Sequence, residues 1–430
     1  MKRDLMQGLI AWKENPLRKP LILRGARQVG KSWLISELGQ QFSSFVSINF
    51  EKQPEACQFF QGDIHIPMLL EKLQVYVGQQ IIPGETLLFF DEIQNCERAI
   101  IALRYFKEEL SSLHVVAAGS LIDFSLKNIG MPVGRVQFLY LHPLSFGEFL
   151  SAMGRNDLRE YILHRDIDSV MHSKILDLVK TYFWLGGMPA VVDRWLMTHD
   201  FKACLDLQDD IILTYKQDFE RYTKERLIDK VEKVFNAIPE HLGEKFVYNK
   251  IDPEIRSYIA KEVVDCLKKA GVIHIVCHTS AQGVPLAAGK DNKRYKIFFF
   301  DIGLVQRLLG LDLQQWIVTP LDIKYIGAIA EQFVAQEYIA YSSVKQPTEL
   351  YYWHREAKSS NAEVDFLFLI KGKIVPVEVK SGTKGRLKSL QLFLETHINS
   401  NYGIKISGEQ ANRFANVVSV PFYGIEALLI

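Results

Sequence analysis

An excess of charge of either sign is what this chain most conspicuously lacks: 51 Lys and Arg stand against 50 Asp and Glu over 430 residues, a formal net charge of +1. Such a balance excludes coating of a polyanion by bulk charge, so any site for nucleic acid must be a local patch. Cysteine is scarce as well. Cys57, Cys96, Cys204, Cys266 and Cys277 form no C-x-x-C pair and stand at no zinc-finger spacing from histidine, which excludes a disulfide framework and reads as reduced thiols of a cytoplasmic protein. No apolar run reaches the length of a transmembrane helix, and Lys2, Arg3 and Asp4 are not followed by the apolar core of a secretion signal, so no membrane partner is expected. Repeats and low-complexity linkers are lacking too. What remains is an ordinary globular composition, 48% hydrophobic and 23% charged, long enough for about two to four domains.

One stretch rises above that background. Gly25-Ala26-Arg27-Gln28-Val29-Gly30-Lys31-Ser32 matches the phosphate-binding loop G-x-x-x-x-G-K-[ST] without a mismatch. The apolar run Pro20 to Leu23 predicts a buried strand entering it, and Trp33, Leu34 and Leu38 recur behind it at helical spacing. Gly25 and Gly30 let the backbone turn so that its N–H groups and the positive helix end face an anion. Lys31 then reaches the β- and γ-phosphates of ATP, and the Ser32 hydroxyl binds Mg²⁺. Trp33 completes the candidate nucleotide-binding set.

A phosphate loop needs a metal partner. The apolar run Leu87 to Phe90 ends in Asp91, placed to join Ser32 in the Mg²⁺ shell, and in Glu92, placed to polarise the attacking water, which points to hydrolysis rather than mere binding. Farther on, Val115 to Ala118 ends in Gly119-Ser120, where Ser120 either orients the lytic water or senses the γ-phosphate, or simply turns the chain. Arg135 is a candidate arginine finger, or else a solvated arginine.

The first third alternates five short apolar runs with amphipathic stretches, the pattern of a three-layer α/β domain with a mostly parallel sheet, taken as residues 1–150. Residues 151–226 read as a helical subdomain interrupted by Gly186-Gly187-Met188-Pro189. Residues 227–315 read as helices followed by a β-hairpin, Val272 to Cys277 and Tyr295 to Phe300, hence a winged-helix-like region. In this region Arg256, Lys261, Lys268 and Lys269 interleave with Glu254, Glu262 and Asp265, so DNA binding and protein packing are equally open. Residues 316–430 give a helix, Ile326 to Tyr341, three strand-like runs and a second helix from about Leu387 to Leu394. Asp365 and Glu378 lie on neighbouring runs, thirteen positions apart, and Glu378 and Lys380 project from one face of an extended segment. This resembles the PD-(D/E)xK constellation of restriction-endonuclease-like folds, in which Asp and Glu bind Mg²⁺ and Lys activates water; Glu331 and Gln391 stand at the accessory positions such a resemblance implies. Lys384, Arg386 and Lys388 add a basic cluster suited to a phosphodiester backbone. The same spacing also arises from cross-strand charge pairs in a hairpin that cuts nothing.

The segments "LILRGARQVGKSWLI", "LLFFDEIQ", "VVAAGS" and "GRVQFLYLHPLSFGEFL", with "LGGMPAVV" and "KIFFFDIGL" farther along, resemble the bacterial and archaeal AAA+ ATPases that carry a characteristic C-terminal domain of unknown function. The resemblance implies an ATP-binding AAA+ core, a lid, a winged-helix region and a nuclease-like tail. Ala118 departs from the Thr expected before Gly119-Ser120, which leaves the sensor role of that strand open. The expected function is an ATP hydrolase whose nucleotide state controls the tail, with DNA or RNA as candidate substrates. The alternative is an ATP-set scaffold whose tail only binds a protein or nucleic-acid partner. Oligomeric state is left undetermined.

Overall fold

The computed structural model describes residues 1–122, 124, 134–251, 253–311, 323–355, 362–381 and 387–430. Lys384, Arg386 and the junction expected between residues 315 and 316 lie outside the described residues. The chain divides into two compact units, one made of Met1–His142 with Lys269–Gly271 and Ser343–Pro347, the other of Pro143–Lys268, Val272–Ser342 and Thr348–Ile430.

In the first unit the apolar runs become strands β1 (Leu21–Arg24), β2 (Ser44–Asn49), β3 (Thr86–Asp91), β4 (His114–Ala118) and β5 (Gln137–Tyr140) of one sheet, in the order β2-β3-β4-β1-β5. Every pairing is parallel. All residues of β3 and β4 are buried, as unbroken apolar runs require when helices cover both faces of a sheet. Helices Lys31–Gly39, Ile66–Val77 and Glu97–Glu109 fill the crossovers, and Phe50, Phe60, Phe90 and Phe106 pack edge-on or tilted in the core. This is an α/β fold with a parallel central sheet. Its β1 and β3 flank β4 and end at the same carboxyl edge of the sheet, where ligands of such sheets bind.

The second unit opens on a capping box. Ser145 Oγ accepts from Glu148 N at 3.1 Å while Glu148 Oε2 accepts from Ser145 N at 3.2 Å, starting the helix Phe146–Ala152. Helices Asn156–His164, Ser169–Leu185, Pro189–Thr198 and Phe201–Tyr222 follow. The two glycine- and aspartate-bearing segments singled out in the sequence meet here. Gly186, at φ +70°, ends the helix Ser169–Leu185, and the next peptide donates from Gly187 N to Asp301 Oδ2 at 2.6 Å. Asp301 is fully buried and also caps the helix Ile302–Leu308 through Leu304 N at 3.1 Å. A Cβ on Gly187 would overlap the Leu144 carbonyl oxygen, so only glycine allows that approach.

The expected hairpin forms, as β6 (Ile273–Thr279) against β7 (Lys290–Phe299). It does not stand free as a wing: β8 (Leu350–His354) pairs parallel to β6 and β9 (Glu363–Val364) antiparallel to β8, giving a four-stranded sheet in the order β7-β6-β8-β9. A further sheet, β10-β11-β12-β14-β13, holds β10 (Phe366–Ile370), β11 (Lys373–Lys380), β12 (Gly403–Ser407), β13 (Asn412–Phe414) and β14 (Val417–Pro421). β10 and β11 form a hairpin, while β12 lies parallel to β11. The helix Ile323–Tyr341 uses its polar side chains internally: Gln332 exchanges two hydrogen bonds with the Phe299 backbone, Gln336 accepts from Ile302 N, and Glu337 accepts from Phe146 N. These side chains satisfy backbone groups at element ends that water cannot reach. Among the described residues no helix is long and apolar enough to cross a membrane.

Candidate functional site

The loop between β1 and the helix Lys31–Gly39 is bent by three left-handed backbone conformations, Gly25 at φ +150°, Gln28 at +61° and Gly30 at +94°. A Cβ on Gly25 would overlap the Leu141 carbonyl oxygen, because β5 runs on past the loop and Leu141 N donates to Arg24 O at 2.8 Å. Gly25→Ala is therefore expected to displace the loop and weaken ATP binding by about tenfold or more, read by titration calorimetry. Beneath the loop, the Arg3 guanidinium donates to Val29 O at 2.8 Å.

Lys31 is buried and its ammonium donates to Gly25 O at 3.0 Å and Ala26 O at 2.7 Å, so the loop's own carbonyls hold it. Burial pulls its pKa down to about 8, against the upward pull of the Glu92 and Asp91 carboxylates. Ser32 Oγ donates to Asp91 Oδ2 at 2.9 Å. Register sets Asn49 opposite Asp91, and Asn49 Nδ2 donates to the same oxygen at 2.9 Å. Glu92, at φ +50°, lies in the left-handed region, with its carboxylate accepting from Gln94 Nε2. A Cβ on Gly119 would overlap Gln94 Oε1, which places the end of β4 against the same side chain. Ser120 follows directly and is partly exposed. Trp33 is exposed, Arg27 pairs with Glu51 at 3.8 Å, and Arg135 pairs through Nε with Glu108 at 2.8 Å, on the helix Glu97–Glu109. Sequence reasoning missed Asn49 and Gln94. The signal for Asn49 was a polar residue closing a strand; for Gln94, a position just beyond the acidic pair.

In the second unit β9, β10 and β11 and the helix Ile323–Tyr341 bring Glu331, Asp365, Glu378 and Lys380 into one electrostatic cluster. Asp365 Oδ2 accepts from Val379 N at 2.8 Å, across the hairpin. Lys380 Nζ donates to Glu378 Oε1 at 2.6 Å, whereas the buried Glu378 Oε2 has no hydrogen-bond partner among the described residues. The cluster also holds two residues that the spacing argument did not count. Lys296 of β7, 1% exposed, lies 2.6 Å from Glu363 Oε1 and 3.6 Å from Glu331 Oε2. Burial lifts the Glu331 carboxyl to about 8, resisted by Lys296 and reinforced by Asp365, Glu363 and Glu378, and lifts the Glu378 carboxyl to about 7, reinforced by Asp365 and resisted by Lys380 and Lys296. Gln391 is exposed on the helix Lys388–Thr396, whose buried face is Leu390 and Phe393, and Lys388 is exposed beside it. Among the described residues no group of three or more His, Cys, Asp and Glu is arranged to hold a metal ion.

Comparison with known proteins decides the character of the first unit. Residues 17–150 match the AAA domain. The first unit thus carries an AAA-type P-loop ATPase domain, and the loop, the acidic pair and the parallel sheet just described are its parts. Residues 176–315 and 326–423 match two domains of unknown function, DUF8612 and DUF4143, which bring no activity with them. Of solved structures, the Walker-type ATPase of Pyrococcus abyssi is similar over 71% of this chain and 94% of its own, at 16% identity and a TM-score of 0.44. The Aeropyrum pernix ORC1 protein, solved in complex with DNA, is similar over 74% and 95%, at 9% identity and a TM-score of 0.30. No curated protein matches the chain.

Within the AAA domain, a hydroxyl and a carboxylate oxygen at hydrogen-bond distance from each other are the hard donors that Mg²⁺ prefers. The left-handed turns at Gly25, Gln28 and Gly30, directly before the N-terminus of the helix Lys31–Gly39, suit an anionic ligand.

Proposed function

We propose that this chain binds ATP with Mg²⁺ in its AAA domain, hydrolyses it, and uses the nucleotide state to control its C-terminal module in the cytoplasm. The observation that supports the reading is the direct Ser32–Asp91 hydrogen bond with Glu92 next in the chain, the arrangement that a metal-binding pair beside a base would need. Backbone N–H groups from Gly25 to Gly30 cradle the phosphates, and Lys31 exchanges the Gly25 and Ala26 carbonyls for phosphate oxygens. Ser32 and Asp91 would hold Mg²⁺, which would supply charge neutralisation to the bound phosphates. Glu92 takes the proton of the attacking water, Ser120 orients that water, and Arg135, once released from Glu108, stabilises the charge that develops on the γ-phosphate. Lys31→Ala removes the only side chain in the loop with an ammonium, and ATP affinity is expected to fall by on the order of a hundredfold or more, measured with a fluorescent ATP analogue. Affinity within about twofold of wild type would sink the assignment of the loop.

For the tail, Asp365, Glu378 and Lys380 with Glu331 and Gln391 remain the candidate PD-(D/E)xK-like set, with Asp365 and Glu378 as its Mg²⁺ ligands and DNA or RNA as the substrate. A second reading, in which the tail binds a nucleic-acid or protein partner without cutting, is favoured by Lys296, whose ammonium already sits among the carboxylates. ATP turnover is expected to rise several-fold on adding the cognate nucleic acid, with the polymer left intact on a gel. Magnesium-dependent cutting that Lys380→Ala abolishes would restore the nuclease reading.

A further inference from the structure

We propose that the Lys296 ammonium is the resident cation of the pocket formed by Glu331, Glu363, Asp365 and Glu378, and that it keeps divalent metal ions out. The inference rests on the non-cleaving reading of the tail and gives it a cause. Lysine is almost never fully buried unless paired, and here a lone lysine sits in the run Tyr295-Lys296-Ile297-Phe298-Phe299-Phe300 and is 1% exposed. It enters the pocket from β7, a strand outside the hairpin that carries Asp365 and Glu378, and its Nζ lies 2.6 Å from Glu363 Oε1, 3.6 Å from Glu331 Oε2 and 5.2 Å from the Tyr352 ring centroid. Although burial pulls against it, the Glu331, Glu363 and Asp365 carboxylates hold the ammonium well above its ordinary range, so it stays charged.

The remaining groups show what Lys296 displaces. Lys380 covers one oxygen of Glu378, and Val379 N covers one of Asp365. The other oxygen of Glu378, a side chain more than nine-tenths buried, finds no donor among the described residues. Four acidic side chains share the pocket with two ammoniums, and one buried Glu378 oxygen is left over as an acceptor. A divalent ion sharing Glu331 or Asp365 would lie beside a fixed positive charge in a poorly solvated setting, where like charges repel strongly.

The test uses the full chain without nucleotide, with Mn²⁺ as the probe followed by electron paramagnetic resonance. Wild type and Asp365→Asn are expected to bind Mn²⁺ identically, because the pocket takes none. Lys296→Met is expected to gain a site at least about tenfold tighter than any in wild type, lost again when Asp365→Asn is added. Lys296→Gln serves the same purpose should the methionine variant fail to fold. A wild-type Mn²⁺ site that Asp365→Asn removes would overturn the proposal, as would a folded Lys296 variant that gains none. Nucleic-acid cutting, assayed in parallel with Mg²⁺, separates this outcome from failure of the non-cleaving reading: cutting by wild type that Lys380→Ala abolishes refutes that reading, while the resonance signal alone decides whether Lys296 keeps the metal out.

Discussion

Glu92→Gln is expected to cut steady-state ATP turnover by about a hundredfold or more while ATP affinity stays within about threefold of wild type. The substitution keeps the size of the side chain and removes only its ability to accept a proton. Its surroundings favour a clean result. Glu92 is partly buried, and among the described residues the Gln94 amide is the side-chain donor to its carboxylate, a bond that the oxygen of a glutamine accepts equally well. Asp91 is the contrasting case. It accepts from Ser32 Oγ, Asn49 Nδ2 and Glu92 N, so Asp91→Asn would turn an amide toward at least one donor and disturb the loop itself. Turnover measured with coupled-enzyme kinetics and affinity by calorimetry therefore separate the two positions: Glu92 loses rate alone, Asp91 loses both. Unchanged turnover in Glu92→Gln would mean that the base lies elsewhere.

The AAA domain was legible because its signals are local and redundant. Strands buried on both faces write themselves as unbroken apolar runs, and the loop's glycines are dictated by backbone geometry that no other residue satisfies at Gly25. Asn49 was not legible, since its approach to Asp91 depends on the register of two strands separated by a helix and a 3-10 turn. The tail divides the same way. Asp365 and Glu378 lie on one hairpin, where spacing predicts proximity, and they do share a cluster. Lys296 reaches them through the pairing of β7 with β6 and of β6 with β8, a tertiary fact that no spacing encodes. That same pairing explains why helices followed by a hairpin read as a winged helix although the hairpin is built into a larger sheet. The three strands after the helix Lys388–Thr396 were passed over because each is short and β13 is wholly exposed.

Asp301→Ala is expected to lower the melting temperature of the second unit by about 5 to 15 °C, the consequence of losing on the order of 2 to 6 kcal/mol. The aspartate accepts from Gly187 N at 2.6 Å and from Leu304 N at 3.1 Å with its side chain fully buried, so alanine leaves two buried donors with no acceptor. The loss should depend on pH in a defined direction. Burial lifts the Asp301 carboxyl to about 6, against the downward pull of the backbone N–H groups that it accepts from. An unfolded aspartate titrates near 3.9, so between about pH 4 and pH 6 the folded state binds the proton that the unfolded state has released. Stability from this group therefore falls as pH rises through that window and is constant above it. Subtracting the variant's melting curve from that of wild type cancels the other carboxylates and leaves Asp301. The gap should be widest near pH 4, narrow toward pH 6 by the equivalent of about 3 kcal/mol, and then stay flat. A gap that widens with pH would mean that the folded state prefers the carboxylate, and the joint between Gly186-Gly187 and the helix Ile302–Leu308 would then be an anionic cap rather than a shared proton site.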